Sequence, residues 1–329
     1  MNAGFSNVYD DEARSLAYAT LEFPGSYFLA FRDLPSIIGE HVLGTKALDF
    51  GCGAGRSTRF LRGLGFEVVG VDISEPMLAR ARERDPAGDY RLLPAGDVAG
   101  VEGSAYDLVL SAFTFDNVPT MEKKVTLFRD LKGLLKPRGR IVNLVSSPEI
   151  YVHEWASFST KDFPKNRAAR CGDEVLILML DVEDQRPVED IVWTDEGYRE
   201  VYHRAGVRPE GIYRPLGKQG EPCAWVNETR IAPWVIYVLG PAEQTVDIEF
   251  CGERKRGRWN DRLAGRGYEK VRTELLDVVA RDTPMPIGIE HGRDGLDRGL
   301  LVLECRLVPN HHVLAVRSAG KRRGICRAH

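Results

Sequence analysis

The chain has 329 residues, 43% of them hydrophobic, and a formal net charge of −3: enough for one large domain and an addition, with no global field to draw it to nucleic acid or a membrane. Six cysteines (Cys52, Cys171, Cys223, Cys251, Cys305 and Cys326) lack C-x-x-C spacing, so neither a zinc site nor a disulfide framework is expected. No apolar run approaches the ~20 residues of a membrane span, and the opening Met-Asn-Ala-Gly-Phe-Ser-Asn lacks the basic and apolar regions of a signal peptide, so a cytoplasmic location is expected.

Residues 1–45 read as a helical leader. Tyr9, Ala13, Leu16 and Ala17 fall near helical spacing behind Asp10, Asp11 and Glu12, where acids suit a helix start. Phe23-Pro24-Gly25 breaks the pattern, and a second helical segment runs from about residue 26 to 42. Then comes a short apolar strand, Ala47 to Phe50, ending in Gly51, Gly53 and Gly55. A helix carrying Phe60, Leu61 and Leu64 follows, then a strand, Val68 to Val71, closed by Asp72. Strand, glycine turn, helix, strand and acid make half of a nucleotide-binding βαβ unit. A dinucleotide fingerprint would place glycine at position 56, which is Arg56; the third glycine comes one residue early. Asp49 stands immediately before the loop, where a carboxylate disfavours a pyrophosphate and favours a ligand carrying an ammonium group.

The run Leu48-Asp49-Phe50-Gly51-Cys52-Gly53-Ala54-Gly55 resembles motif I of the class I S-adenosylmethionine-dependent methyltransferases. The resemblance covers about residues 1–240. It implies an α/β fold, a doubly wound and mostly parallel seven-stranded sheet. It also implies S-adenosylmethionine as cofactor, with Gly51, Cys52, Gly53 and Gly55 against its methionine part. Asp72, with Ile73 beside it, is implied on the ribose hydroxyls. Asp97, with Val98, is implied at the adenine amino group, the alternative for Asp97 being a turn cap. Ser111 and Phe113 complete the implied cofactor set. The leader is implied to fold over the cofactor, with Tyr9 and Tyr18 as contacts or else as packing on the sheet.

Beyond Asp72, Ser74 is a candidate N-cap and Pro76 an early helical residue. That helix ends near Asp85-Pro86, and Tyr90 to Leu93 reads as a third strand. Tyr106 to Ala112 is a fourth strand, apolar enough for burial on both faces. A helix from Met121 to Leu135 carries Val125, Phe128, Leu131 and Leu134 on one side and stops at Lys136-Pro137-Arg138-Gly139. Arg140 to Ser146 is the fifth strand. This alternation predicts a parallel sheet covered on both sides, with ligands at the carboxyl ends of the strands. The cofactor-binding core thus spans 46–146.

Residues 147–194 break the alternation. They are rich in aromatic side chains and contain two β-like runs, Glu174 to Asp181 and Asp190 to Thr194. This reads as an inserted lid with an antiparallel pair, suited to a small organic substrate. Residues 195–240 complete the core with a helix (Asp195 to Ala205), an extended segment (Arg208 to Leu216) and a last strand within Ile231 to Leu239. Residues 241–329 fall outside the resemblance. They hold 17 of the 45 Lys and Arg but 13 of the 48 Asp and Glu. Strand-like runs lie at Val246 to Phe250, Leu300 to Leu307 and Val313 to Val316, with a helix-like run from Tyr268 to Ala280. A small α+β appendage, a partner-docking module and poorly ordered chain all fit that pattern.

Methyl transfer from a sulfonium needs mainly alignment, which supplies on the order of 7–11 kcal/mol; it needs no metal, and none is expected. A base is required only when the acceptor carries a proton. His153 beside Glu154 is the first candidate, Asp116 the rival, and His203 a weaker one. Asp116 has turn capping as its other reading. Phe115, Asn117, Tyr151, Trp155 and Phe158 are the candidate acceptor contacts, with core packing the alternative for Phe113 and Phe115. The expected acceptor is a small molecule, methylated on O or N. The alternatives are an RNA or protein acceptor held by the basic tail, or a non-catalytic S-adenosylmethionine-binding regulator. The motif Phe115-Asp116-Asn117-Val118-Pro119 lacks the N-P-P-Y pattern of base-amino methylators.

Overall fold

A computed structural model describes residue 16, residues 21–93 and 98–242, and six strands beyond them. Tyr9, Tyr18, Asp97 and the run 268–280 lie outside the described residues. The chain divides into two compact units, Met1–Pro241 and Ala242–His329.

The first unit is built on a seven-stranded sheet of order β3-β2-β1-β4-β5-β10-β9. Its strands are β1 (Lys46–Phe50), β2 (Glu67–Asp72), β3 (Asp89–Leu92), β4 (Tyr106–Ala112), β5 (Leu135–Ser146), β9 (Val207–Tyr213) and β10 (Trp234–Pro241). All neighbours pair in parallel except β10, which runs antiparallel to both β5 and β9. The strand order reverses between β1 and β4, so the crevice at their carboxyl ends is the place where such sheets bind ligands.

Alternation along the central strands explains why both faces are covered. Leu108 and Leu110 of β4, with Val142 and Leu144 of β5, join one core. Val109, Ile141 and Val145 join the other. The first core also takes in α1 (Gly25–Arg32) and α2 (Leu34–His41), which the sequence reading treats as one segment; the break falls at Asp33, before Pro35 at the start of α2. The second takes in α5 (Met121–Leu134) and α6 (Asp195–Ala205). Between them in sequence lie α3 (Arg56–Gly63) and α4 (Glu75–Arg84). Helix α6 is bounded at both ends: the Thr194 side chain accepts from Gly197 N, and Gly206 closes it at φ 73°. Ser74 sits at the N-cap position of α4, but its side chain makes no cap bond. Its N–H donates instead to Asp72 Oδ1 at 2.9 Å.

Strand β5 starts five residues earlier than expected. Leu135 pairs with Tyr106, but Leu108 pairs with Arg140, so the turn-like 136–139 stretch is accommodated as an irregularity inside the strand. In the insertion, β6 (Phe158–Ser159) joins β7 (Glu174–Met179) and β8 (Val188–Ile191) in a three-stranded antiparallel sheet. The expected pair is therefore extended by a two-residue strand. Asn166 stitches it: its Nδ2 donates to the carbonyls of Tyr151 (3.0 Å) and Leu176 (2.7 Å), and its Oδ1 accepts from Leu176 N.

In the second unit, Gln244–Phe250 pairs antiparallel with Glu253–Trp259 and with Leu314–Arg317, which in turn pairs with Val302–Leu303. Ile287–Ile289 pairs with Cys305–Leu307. The strand 253–259 has no counterpart in the sequence reading.

Candidate functional site

The glycine loop is shaped by its neighbours. Gly51, Gly53 and Gly55 all have positive φ (75°, 52° and 79°). A Cβ on Gly51 would lie 2.1 Å from Thr114 Oγ1, and one on Gly55 2.6 Å from the Tyr90 hydroxyl. Only glycine meets both demands at these two positions. Asp72 holds the loop from the end of β2, its Oδ2 accepting from Gly53 N at 2.8 Å. Its Oδ1 accepts from Ser74 N at 2.9 Å, which fixes the carboxylate at the edge of the loop.

Asp49 is fully buried under the loop. Its Oδ2 accepts from Ser57 Oγ (2.7 Å) and Thr58 Oγ1 (2.6 Å), at the start of α3. Its Oδ1 is buried with no partner among the described residues. Burial pushes its pKa up to about 6, against the two hydroxyl bonds that pull it down. Cys52 is also buried and donates its N–H to Val71 O; burial, then the charges of Asp49 and Asp72, push its thiol well above its ordinary range. Ile73 is 40% exposed beside Asp72, and Val98 is buried. Ser111 is fully buried, its hydroxyl unpartnered among the described residues.

A second space opens beside this loop. It is a cavity of about 40 Å³, open on one side and lined by residues from five parts of the chain. Tyr27 of α1, Phe113 after β4, Phe158 of the insertion and Trp234 of β10 supply aromatic walls, with neighbouring ring centroids 4.8–5.8 Å apart. Ile177, Met179 and Val188 add aliphatic surface, and Asp116, Asn117, Ser146 and Asp190 the polar part. Phe113 reaches the cavity through an uncommon left-handed backbone (φ 66°), strain of the kind that collects at functional sites. The adjacent Thr114 donates to Phe50 O at 3.0 Å, so the cavity wall and the glycine loop share a border.

Beneath the cavity lies a buried charged cluster. Asp116 accepts from Ser146 N (3.1 and 3.2 Å) and Ser146 Oγ (2.9 Å). Asp190 Oδ2 accepts from the Tyr151 hydroxyl at 3.1 Å. Fully buried Lys124 donates to Phe115 O, its ammonium 4.8 Å from the Trp193 ring centre and 5.5 Å from that of Tyr198. Burial raises both acids above the ordinary carboxylate range, and the neighbouring Asp116 raises Asp190 further. Burial lowers the Lys124 ammonium, opposed by Asp116.

Of the sequence candidates, Asp116, Asn117, Phe113 and Phe158 meet in the cavity, and Tyr151 supports it from below. Others are placed elsewhere. His153 lies outside the lining, paired with Glu149 at 3.1 Å and 36% exposed. Glu154 is occupied within the insertion, accepting from Ser159 Oγ, Thr160 N and Thr160 Oγ1. Phe115 turns to the opposite side of the sheet and stacks on Phe128 at 4.1 Å. Trp155 is core, its Nε1 donating to Ile150 O. His203 lies in the last turn of α6. Tyr27, Lys124, Asp190 and Trp234 are additions that the sequence reading lacks. Lys124 had a readable signal, since it shares the inward helix face of Phe128 and Leu131; the others meet only through tertiary folding.

The fold and this loop define a class: residues 48–143 match the family described as Methyltransferase domain. That match, from β1 into β5, supports a class I S-adenosylmethionine-dependent methyltransferase core. Among curated relatives, the ubiquinone biosynthesis O-methyltransferase of Burkholderia vietnamiensis is 34% identical over 126 residues, 35% of this chain and 53% of that protein. The enzyme of the same name from Roseobacter denitrificans is 32% identical over 170 residues, 45% of this chain and 65% of that protein. The chain spans about half the length of the first of these relatives. A solved structure from Pyrococcus horikoshii covers 72% of this chain and 100% of its own, at 20% identity and a TM-score of 0.49. One described as a putative S-adenosylmethionine dependent methyltransferase, from Listeria monocytogenes, covers 65% and 99%, at 18% and 0.48.

The cofactor of this family is S-adenosylmethionine, and the residues present fit it. The glycine cradle admits no Cβ at Gly51 or Gly55, Asp72 ends β2 at the edge of that cradle, and the buried Asp49 Oδ1 lacks a partner among the described residues under the loop.

Proposed function

We propose that the chain methylates an O or N atom of a small organic molecule held in the aromatic cavity. One observation carries this reading: the cavity borders the glycine loop through Phe113 and Thr114, at the carboxyl ends of β4 and β5. When bound, S-adenosylmethionine supplies an electrophilic methyl group on a sulfonium. The chain's own part is placement. Gly51, Gly53, Gly55 and Asp72 hold the donor, and the rings of Tyr27, Phe113, Phe158 and Trp234 hold the acceptor and exclude water. Asp116 and Asp190 are the groups placed to take an acceptor proton.

Residues 147–194 serve as the substrate lid in this reading. They are tied to the leader by Glu228, fully buried, which accepts from Ser26 Oγ (2.6 Å) and Ala156 N (2.7 Å). Among the described residues no helix is long and apolar enough to cross a membrane. Cys52, Cys171 and Cys223 are free, which supports a reducing, cytoplasmic setting. The test is a screen of small phenols, carboxylic acids and amines with labelled S-adenosylmethionine, in which label transfer supports the reading. Transfer only to RNA or protein would overturn it.

A further inference from the structure

Among the described residues the cavity lining holds two carboxylates, Asp116 and Asp190, and no Lys, Arg or His. Around them stand four aromatic rings. Two buried cations stand behind the lining: Lys124, turned into the Phe115 carbonyl and the rings of Phe115, Trp193 and Tyr198, and Arg56, which donates to Glu22 O and lies 4.8 Å from the Tyr27 ring centre and 5.9 Å from that of Phe113, leaving the rings of Phe158 and Trp234 to the ligand. The two acids differ in what they have left to offer. Both oxygens of Asp116 accept from Ser146. Asp190 accepts only from Tyr151, on Oδ2, among the described residues, so its Oδ1 is the unpaired acceptor at the cavity. An anion placed there would face two carboxylates at close range. A neutral apolar molecule would leave Asp190 Oδ1 desolvated and unpaired, which is costly. An ammonium group satisfies it, and the ring faces attract the same charge.

We propose that the cavity selects a small aromatic or aliphatic amine as its ligand, with the protonated nitrogen held between Asp190 Oδ1 and the aromatic walls. This rests on the reading of the cavity as the acceptor site and narrows the acceptor from any O or N compound to an amine.

The test is calorimetric titration of the full chain at about pH 9, where Asp190 is ionised and an alkylamine is still mostly protonated, with three probes of one shape: phenethylamine, phenethyl alcohol and phenylacetate. Each is run with and without saturating S-adenosylhomocysteine. The amine should bind at least about tenfold tighter than the alcohol, the difference between a charge-assisted and a neutral hydrogen bond, and phenylacetate should bind more weakly than either. Asp190→Asn should remove the preference for the amine while leaving S-adenosylhomocysteine binding unchanged. The inference is overturned if the amine fails to bind, if the amine binds no better than the alcohol, or if Asp190→Asn keeps the preference. The wild-type probe series decides the matter alone should the variant fail to fold. Absence of S-adenosylhomocysteine binding would count against the methyltransferase reading instead, while the probes alone still report on the amine.

Discussion

The Tyr151 hydroxyl donates to Asp190 Oδ2 at 3.1 Å, joining the turn after β5 to strand β8 of the insertion. This bond favours the ionised acid, yet burial and the neighbouring Asp116 outweigh it together with the attraction of Lys124, and the pKa rises to about 8. An acid whose folded pKa lies above its unfolded value costs stability in full above the folded pKa. That cost shrinks as pH falls and is gone below the ordinary carboxylate range. Asp190→Asn keeps an acceptor for Tyr151 and removes the ionisation. The variant should melt higher than the parent above pH 8, by about 3 °C or more, with the difference closing toward pH 4. Thermal melts across that range check it; a constant difference would contradict it.

The Asp72 carboxylate joins strand end to loop through Gly53 N at 2.8 Å and Ser74 N at 2.9 Å. Asp72→Ala removes both bonds and the acceptors offered to the donor's hydroxyls. At about 1.5–3 kcal/mol for hydrogen bonds to a charged group, the affinity for S-adenosylhomocysteine should fall about 10- to 100-fold. Asp72→Asn, which retains one acceptor oxygen, should fall less. Titration of both variants gives the order.

Gly55 has φ 79°, with the Tyr90 hydroxyl 2.6 Å from where a Cβ would stand. Gly55→Ala should cost about 1–2 kcal/mol for the backbone alone and lower Tm by about 2–8 °C. Gly63, inside α3 with nothing within 4 Å of its Cβ position, is the control. There alanine should be neutral or stabilising.

Glu228 gathers four donors, Ser26 Oγ and Ala156 N from two distant segments and Val226 N and Asn227 N from beside it. Glu228→Ala strands them at about 1–3 kcal/mol per buried group, so a loss above about 3 kcal/mol is expected, and Glu228→Gln should recover part of it. Hydrogen exchange should quicken at Ala156 and Val226 before it does in β4. Uniform exchange across the unit would show that this contact does not hold the lid.

The core was legible because its signals are local. Apolar runs marked β1, β2 and β4, and Asp72 ended β2 where an acid was expected. Helix α6 was read from Asp195 to Ala205 and forms over those residues. The aromatic cavity was legible only in part. His153 and Glu154 look like an acid–base pair when read side by side, but folding gives His153 to Glu149 and Glu154 to Ser159 and Thr160. Phe113 and Phe115 are two residues apart, yet the turn after β4 sends one into the cavity and the other to the opposite core. Asp190, Tyr27 and Trp234 come from lid, leader and last strand, and no spacing rule connects them.

The central claim is that the loop from Asp49 to Asp72 is a donor site. Calorimetric titration of the full chain with S-adenosylhomocysteine tests it most directly. The account predicts saturable binding of one molecule per chain, weakened by Asp72→Ala and unaffected by Asp190→Asn. No heat and no thermal shift with either S-adenosylmethionine or S-adenosylhomocysteine would contradict it.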